Sequence, residues 1–139
     1  MSTTKTIQQT YRSTAYTDVS AFTAAQFGAW GEEYATLWLE TQGWDIVDRN
    51  YHSRFGEIDI IAFDPDHVLC VVEVKARRSL TYGSAEEAVH ERKQASIRKT
   101  LLDWIQSRNF LKYHHIRFDV ITLVHHGSTV EISLIKEAF

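Results

Sequence analysis

The chain has 139 residues, a formal net charge of −3 and one cysteine, Cys70. This length suits one domain with an ordinary core, and a single cysteine excludes an internal disulfide framework and favours a reducing compartment. No apolar h-region follows the start and no run approaches membrane-spanning length, so we expect a cytoplasmic protein without signal peptide or membrane contact. The charge does not predict nucleic-acid binding, yet it does not exclude it, because phosphate is bound by local basic density.

The first segment, residues 1–22, is rich in Thr, Ser, Gln and Tyr and shows no periodicity. We interpret it as a flexible N-terminal leader that precedes a single domain over residues 23–139.

A first helix is predicted from Thr23, where Thr23 and Gln26 form a capping box, to about Gln42, with Gly43 as the stop. Glu32 lies on a stripe of small residues that would let the helix approach a sheet closely. Spacing alone favours a Glu32 carboxylate that reaches out to water. The apolar stripe of this helix comprises Phe27, Trp30, Tyr34, Leu37 and Trp38.

Two apolar runs at the centre of the chain, 56–63 and 68–75, flank a turn of Asp, Pro and Asp, which is typical of a β-hairpin. Glu73 and Lys75 are two residues apart on a strand and share a face, and the hairpin can bring Asp59 beside Glu73. Charged side chains inside apolar strands are costly to bury without a partner. The hairpin therefore predicts a binding site.

The remaining elements are a strand over 44–51 before the hairpin, a loop over 76–83, a second helix from about His90 or Glu91 to Ser107, and strands over 116–124 and 129–135. Together they predict an α/β domain with a mixed central sheet of about five strands, flanked by two long helices in the order α-β-β-β-α-β-β. The expected buried side of the second helix comprises Ala95, Ile97, Leu101, Leu102, Trp104 and Ile105.

The pair of acids in the hairpin indicates that the site binds a metal ion. Two carboxylates at short range repel each other, so both stay ionised only beside a cation, and their oxygens favour Mg²⁺ or Mn²⁺. Such an ion polarises a phosphoryl oxygen, while Lys75 stabilises developing negative charge and the Val74 carbonyl can complete the metal shell. This combination fits phosphodiester hydrolysis.

Several blocks of the sequence, in this order, resemble the YraN-like family of uncharacterised proteins. They are Gly31-Glu32-x-x-Ala35, Gly43-Trp44, Asn50, Gly56-Glu57-Ile58-Asp59, Val72-Glu73-Val74-Lys75-x-Arg77 and Gly83-Ser84-x-x-Glu87-Ala88-Val89-x-x-x-Lys93-Gln94. That family is similar to Holliday-junction resolvases and to the restriction-endonuclease-like superfamily with its Asp…Glu-x-Lys motif. The resemblance covers roughly residues 25–125 and implies a restriction-endonuclease-like core. Ala85 and Glu91 depart from it, since prolines are common there.

The resemblance implies roles for five residues. Asp59 and Glu73 would be metal ligands, and Lys75 would stabilise charge or orient water. Glu32 would approach the metal from the first helix, often through water, and Gln94 would lie near the active centre.

Other charged residues have two interpretations each. Glu57 is a further acid of the site or a partner for Arg54. Arg77 and Arg78 are nucleic-acid contacts or parts of a solvated loop, and Arg54 is a further candidate contact. Lys93 is a further candidate contact, although the basic residues of the second helix are more typical of its solvated face.

The seven histidines lack zinc-site spacing, so we interpret them as surface residues, including the pairs His114-His115 and His125-His126. Cys70 lies in the middle of a strand and is interpreted as core filler.

The sequence predicts a Mg²⁺-dependent endonuclease acting on DNA, with branched or damaged DNA as one option. The first alternative is a nucleic-acid-binding module of nuclease fold with weak or absent catalysis. The second is a protein-interaction domain on the same scaffold. Because junction-cutting relatives work as dimers, the resemblance also implies a homodimer.

Overall fold

A computed structural model of the chain describes residues 7–14, 19–78, 90–108, 115–126 and 129–139. Its elements are β1 (Ile7–Thr14), α1 (Ala24–Thr41), β2 (Asp45–Ser53), β3 (Gly56–Phe63), β4 (Leu69–Arg77), α2 (Glu91–Arg108), β5 (Ile116–His126) and β6 (Thr129–Lys136). They form one sheet in the order β1-β6-β5-β4-β3-β2. Strands β4 and β5 are parallel, and the other neighbours are antiparallel. The predicted mixed sheet and element order are confirmed, with one further strand before α1.

That further strand differs from the expected leader. Residues Ile7–Thr14 pair with β6 along its whole length, from Ile7 opposite Lys136 to Thr14 opposite Thr129. Its Thr, Tyr and Ile residues favour strands, and it covers an edge of β6 that would otherwise expose unpaired backbone groups. The rest of the predicted leader is described only from Val19, which is buried.

Parts of other predictions lie outside the described residues. These are the loop beyond Arg78, the block from Gly83 to Val89, and His114.

Helix α1 begins as predicted. The Thr23 hydroxyl accepts a hydrogen bond from the backbone N–H of Gln26, and the Gln26 side chain accepts one from the N–H of Thr23. Gly43, with φ at +88°, ends it. Gly31 lets α1 approach the sheet closely, because a Cβ at this position would lie only 2.6 Å from the Cβ of Ala76.

The sheet is covered on both faces. Helix α1 packs against β4, β2 and β5, and α2 packs against β3 and β2. The α1 core includes Leu39, Trp44, Ile60, Val72 and Leu123. The α2 core includes Ile58, Ile61, Val71, Ile97 and Trp104. Cys70 is buried, as expected for core filler.

Both helices bury narrower stripes than predicted. Leu37 on α1 is 54% exposed and Leu102 on α2 is 60% exposed, and Ala95 is also exposed. On α2 the buried residues Ile97, Leu101 and Trp104 follow the i, i+4, i+7 spacing, which turns position 102 away from the sheet.

A buried ion network joins the turn after β3 to β5. The Arg117 guanidinium donates to both oxygens of Asp119 at 2.9–3.1 Å and to Asp64 Oδ2 at 2.9 Å. Asp64 Oδ1 also accepts the backbone N–H groups of Asp66 and Val68. The network thus fixes the turn between β3 and β4.

The pairing of β3 with β4 is incomplete. It runs from Phe63 opposite Leu69 to Ile60 opposite Val72 and ends there. Both strands continue, but β3 is then paired only with β2, and β4 only with β5, among the described residues. The two central strands therefore leave room between them at the position of Asp59 and Glu73.

Candidate active site

Asp59 and Glu73 occupy the place where β3 and β4 stop pairing. Asp59 Oδ2 accepts the backbone N–H of Val74 at 2.9 Å, so a side chain satisfies a donor that the neighbouring strand leaves unpaired. Glu73 is almost fully buried beside it. The structure thus brings the two acids together across the hairpin, as the sequence predicted.

Glu73 is a buried carboxylate whose two oxygens do not both have a hydrogen-bonding or charged partner. Its Oε1 is buried and has no hydrogen-bond partner, while its Oε2 lies 3.8 Å from Lys93 Nζ. Burial, and then the negative charge of Asp59, raise the pKa of Glu73 to about 8, although Lys93 and Lys75 act in the opposite direction. Around neutral pH this carboxyl group is therefore close to its titration point.

Asp59 is held in a similar environment. Burial raises the pKa of its carboxyl group, and the Val74 N–H, Lys93 and Lys75 oppose that rise. Glu73 and Lys75 are two residues apart on β4 and therefore share a face of the sheet, and the charge of Lys75 acts to lower the pKa values of both acids. Asp59, Glu73 and Lys75 therefore form one electrostatic cluster.

Glu32 approaches this cluster from α1. Its side chain is only 13% exposed and its Oε1 lies 3.6 Å from Arg49 Nη2, yet Oε1 is buried without a hydrogen-bond partner. Burial, followed by the charge of Asp59, raises the pKa of Glu32. The interpretation from spacing, a carboxylate reaching out to water, is wrong, because the small residues around Glu32 bring it against the sheet.

Two residues beside Glu32 were not singled out as site residues. Arg49 lies between Glu32 and Glu33, with Nη1 3.0 Å from Glu33 Oε2. Asn50 has a φ of +51°, and its side chain acts to lower the pKa of Glu32. Asparagine is one of the few residues with a side chain that adopt this left-handed backbone readily. In the sequence, the only indication of this backbone conformation was an asparagine in the middle of a predicted strand.

Lys93 belongs to the site and not to a freely solvated helix face. It lies in the first turn of α2, half-buried, with its ammonium group beside Glu73. The sequence contained a signal for this: Lys93 is four residues before the buried Ile97, and residues four apart share a helix face. Gln94, the next residue, is half-buried, and its backbone N–H donates to His90.

Glu57 has a partner other than the expected Arg54. Its Oε2 lies 3.2 Å from His52 Nδ1, whereas the Arg54 guanidinium lies over the ring of Phe55. The negative charge of Glu57 nevertheless contributes to raising the pKa values of Asp59 and Glu32, so Glu57 stands at the rim of the cluster.

Arg78 is engaged in structural contacts. Its Nη2 donates to the carbonyl of Phe22 at 2.6 Å, and its guanidinium lies 4.6 Å from the centre of the Phe27 ring. It therefore attaches the segment before α1 to the end of β4. Arg77, the preceding residue, is half-buried.

One histidine differs from the expected surface position. The ring of His125 is half-buried against Trp30, at 5.7 Å between ring centres, and its Nε2 is buried without a partner. Among the described residues, no group of three or more His, Cys, Asp or Glu side chains is arranged to hold a metal ion. In the same part of the chain, no helix combines the length and apolarity needed to cross a membrane.

Comparison with known proteins gives a consistent result. Residues 31–123 match the sequence profile of a family described as uncharacterised protein family UPF0102. A UPF0102 protein of Bifidobacterium longum is 43% identical over 118 residues, which is 84% of this chain and 95% of that relative. One of Rhodococcus jostii is 42% identical over 113 residues, 81% of this chain and 94% of the relative. A UPF0102 protein of Trichlorobacter lovleyi is 47% identical over 113 residues, which is 81% of this chain and 88% of that relative.

Proposed function

This chain belongs to the uncharacterised protein family UPF0102, and we propose that it is a Mg²⁺-dependent endonuclease that hydrolyses phosphodiester bonds in DNA. The observation that carries the proposal is Glu73, a buried carboxylate beside Asp59 with one oxygen that no donor satisfies. A buried acid pair of this kind is destabilising unless a cation neutralises it.

The acids fit a hard cation. Two carboxylate oxygens, Glu32 Oε1 and Glu73 Oε1, are buried without hydrogen-bond partners, and oxygen donors are those that Mg²⁺ and Mn²⁺ prefer. The described residues contain no complete group of three ligands. We therefore expect Asp59 and Glu73 to supply the protein ligands, with water and substrate phosphate completing the shell, which is a usual arrangement for Mg²⁺.

Each side chain of the cluster would have its own role in hydrolysis. When bound, the ion polarises a phosphoryl oxygen and makes a bound water more acidic. Asp59 is already oriented by the Val74 N–H and keeps one oxygen for other contacts. Lys75, whose charge acts to lower the pKa values of both acids, would stabilise the negative charge that develops on phosphate. Glu32, whose pKa is raised, would orient a water molecule and accept its proton.

The direct test is cleavage of linear, flapped and four-way-junction DNA with Mg²⁺ or Mn²⁺. We expect activity in the wild type and at least a 100-fold loss in Asp59→Asn and Glu73→Ala. Asp66→Asn, a change in the exposed turn after β3, is the matched control and should retain wild-type activity. Activity that persists in both site variants would contradict the assignment.

A second function, a DNA-binding module without catalysis, is favoured by Lys93. Its ammonium lies 3.8 Å from Glu73 Oε2, so this carboxyl group has a counter-charge that does not require a metal. Calorimetric titration with Mn²⁺ distinguishes the two functions. Heat and thermal stabilisation that disappear in Asp59→Asn support the nuclease, whereas absence of both in the wild type, together with retained binding of DNA, supports the module.

A further inference from the structure

A groove of about 340 Å³ lies beside the acid site and takes no part in the proposed chemistry. It is lined by Arg54, Phe55, Lys99, Leu102, Asp103 and Gln106. Phe55 and Leu102 are two of the three large apolar side chains that the described residues expose. The groove therefore places two exposed apolar side chains among charged and polar ones.

Phe55 is held in place while its ring faces outward. Its backbone N–H donates to Ser53 Oγ at 3.0 Å, and its carbonyl accepts a hydrogen bond from Ser96 Oγ on α2. The residue is nevertheless 37% exposed. An aromatic ring fixed by its backbone on the surface loses little conformational freedom when a ligand packs on it.

Two cations flank this ring. The Arg54 guanidinium lies 4.8 Å from the ring centre and Lys99 Nζ lies 5.9 Å from it. The acid of the groove, Asp103, accepts a hydrogen bond from the Tyr51 hydroxyl at 2.7 Å, which occupies one of its oxygens. The lining therefore combines an aromatic surface with a net positive charge.

The groove adjoins the acids along two elements. Phe55 immediately precedes β3, and Asp59 follows four residues later, which is about 13 Å along a strand. On α2, Lys99 follows Lys93 by six residues, about 9 Å along a helix. Phe55 and Lys99 thus lie within a few nucleotides of the acid cluster.

We propose that this groove binds unpaired nucleotides of a DNA strand, with a base stacked on Phe55 and Arg54 and a phosphate beside Lys99. A stacking surface with flanking cations is how proteins bind single strands without reading their sequence, and bases also stack on guanidinium planes. The bases of an intact duplex are stacked on one another and cannot use Phe55. The inference rests on the proposed function for its substrate class, but the binding itself needs no metal.

The test is fluorescence anisotropy of labelled single-stranded and duplex DNA of equal length, with the full chain and EDTA present. Phe55→Ala should weaken single-strand binding roughly 5- to 100-fold and leave duplex binding within about twofold, while Phe55→Tyr should retain wild-type affinity. Lys99→Gln should reduce the slope of log affinity against log salt for single strands by about 0.7. Leu37→Ser, at the exposed leucine of α1, is the control and should change neither.

Equal losses for single strands and duplex in Phe55→Ala, or no loss in either, would overturn the proposal. If Phe55→Ala does not fold, the Lys99→Gln salt slope decides, and an unchanged slope overturns it. Cleavage assays separate this result from the proposed hydrolysis. If binding depends on Phe55 but no DNA is cleaved, the proposed hydrolysis is contradicted and the proposed groove is supported. If DNA is cleaved but binding does not depend on Phe55, the hydrolysis is supported and the groove is contradicted.

Discussion

Replacing Glu73 by glutamine should make the metal-free protein more stable at alkaline pH. Burial raises the pKa of Glu73 from 4.5 to about 8 in the folded protein. Between these values the unfolded chain has already lost the proton that the folded protein retains, so stability falls as pH rises through this window and levels off above it. Glutamine has no proton to lose and removes this decline.

The size of the effect follows from the same interval. At about 1.4 kcal/mol for each pH unit, the interval between 4.5 and about 8 corresponds to roughly 5 kcal/mol at most. At this chain length 1 kcal/mol shifts the melting temperature by roughly 3–5 °C. The difference in melting temperature between Glu73→Gln and wild type should therefore grow by up to roughly 15–25 °C from pH 4.5 to pH 9.

The assay is thermal unfolding followed by circular dichroism across this pH range in EDTA. Glu57→Gln, a half-exposed acid at the rim of the cluster, is the control and should show no comparable growth with pH. A Glu73→Gln difference that is the same at pH 5 and pH 9, or a less stable variant at pH 9, would refute the reasoning. Saturating Mg²⁺ at pH 8 should raise the melting temperature of the wild type and not that of Glu73→Gln, because an ion that binds only the folded protein stabilises it.

Three further substitutions test the packing and the charges. Gly31→Ala should cost about 1–3 kcal/mol in urea unfolding, because its Cβ would overlap β4, whereas Gly28→Ala, with nothing within 4 Å of its Cβ, should stabilise the helix by up to about 1 kcal/mol. Lys93→Met should raise Mn²⁺ affinity several-fold in calorimetry by removing the cation nearest Glu73, and Lys93→Arg should not. Arg117→Met should cost about 3–5 kcal/mol because it leaves two buried carboxylates without a counter-charge, whereas Arg108→Met, at a pair that is only partly buried, should cost less, about 1 kcal/mol.

Each of these has a contradicting outcome. Equal effects of alanine at the two glycines would show that α1 is not tightly seated on the sheet. Unchanged or weaker Mn²⁺ binding in Lys93→Met would show that the lysine does not compete for Glu73. Similar losses at the two arginines would show that the network at Arg117 is no more important than a surface pair.

The sequence predicted what depends on local pattern. The capping box at Thr23, the stop at Gly43 and the hairpin were readable because their signals lie within a few residues of one another. Asp59 and Glu73 were expected as neighbours because a short turn fixes the register of the strands that carry them. Because charged side chains are costly to bury, acids within apolar strands were enough to identify Asp59 and Glu73 as candidate site residues.

What the sequence did not predict depends on tertiary contacts. The strand Ile7–Thr14 exists only through its pairing with β6, more than 100 residues later, and its own residues form no clear alternation. The position of Lys93 depends on how α2 crosses the sheet, and the contacts of Arg78 depend on where Phe22 lies. Such contacts are decided by packing between elements distant in sequence, which periodicity does not record.

The single thiol of the chain provides an internal reporter of this region. Cys70 lies in β4, three residues before Glu73, and is fully buried; burial also raises the pKa of its thiol, which suppresses the reactive thiolate. A thiol reagent can therefore modify the native protein only when β4 opens transiently, so the labelling rate measures the frequency of that opening. Labelling with and without Mg²⁺ would report, without any mutation or nucleic acid, whether an ion bound at the acids also holds the central strand closed.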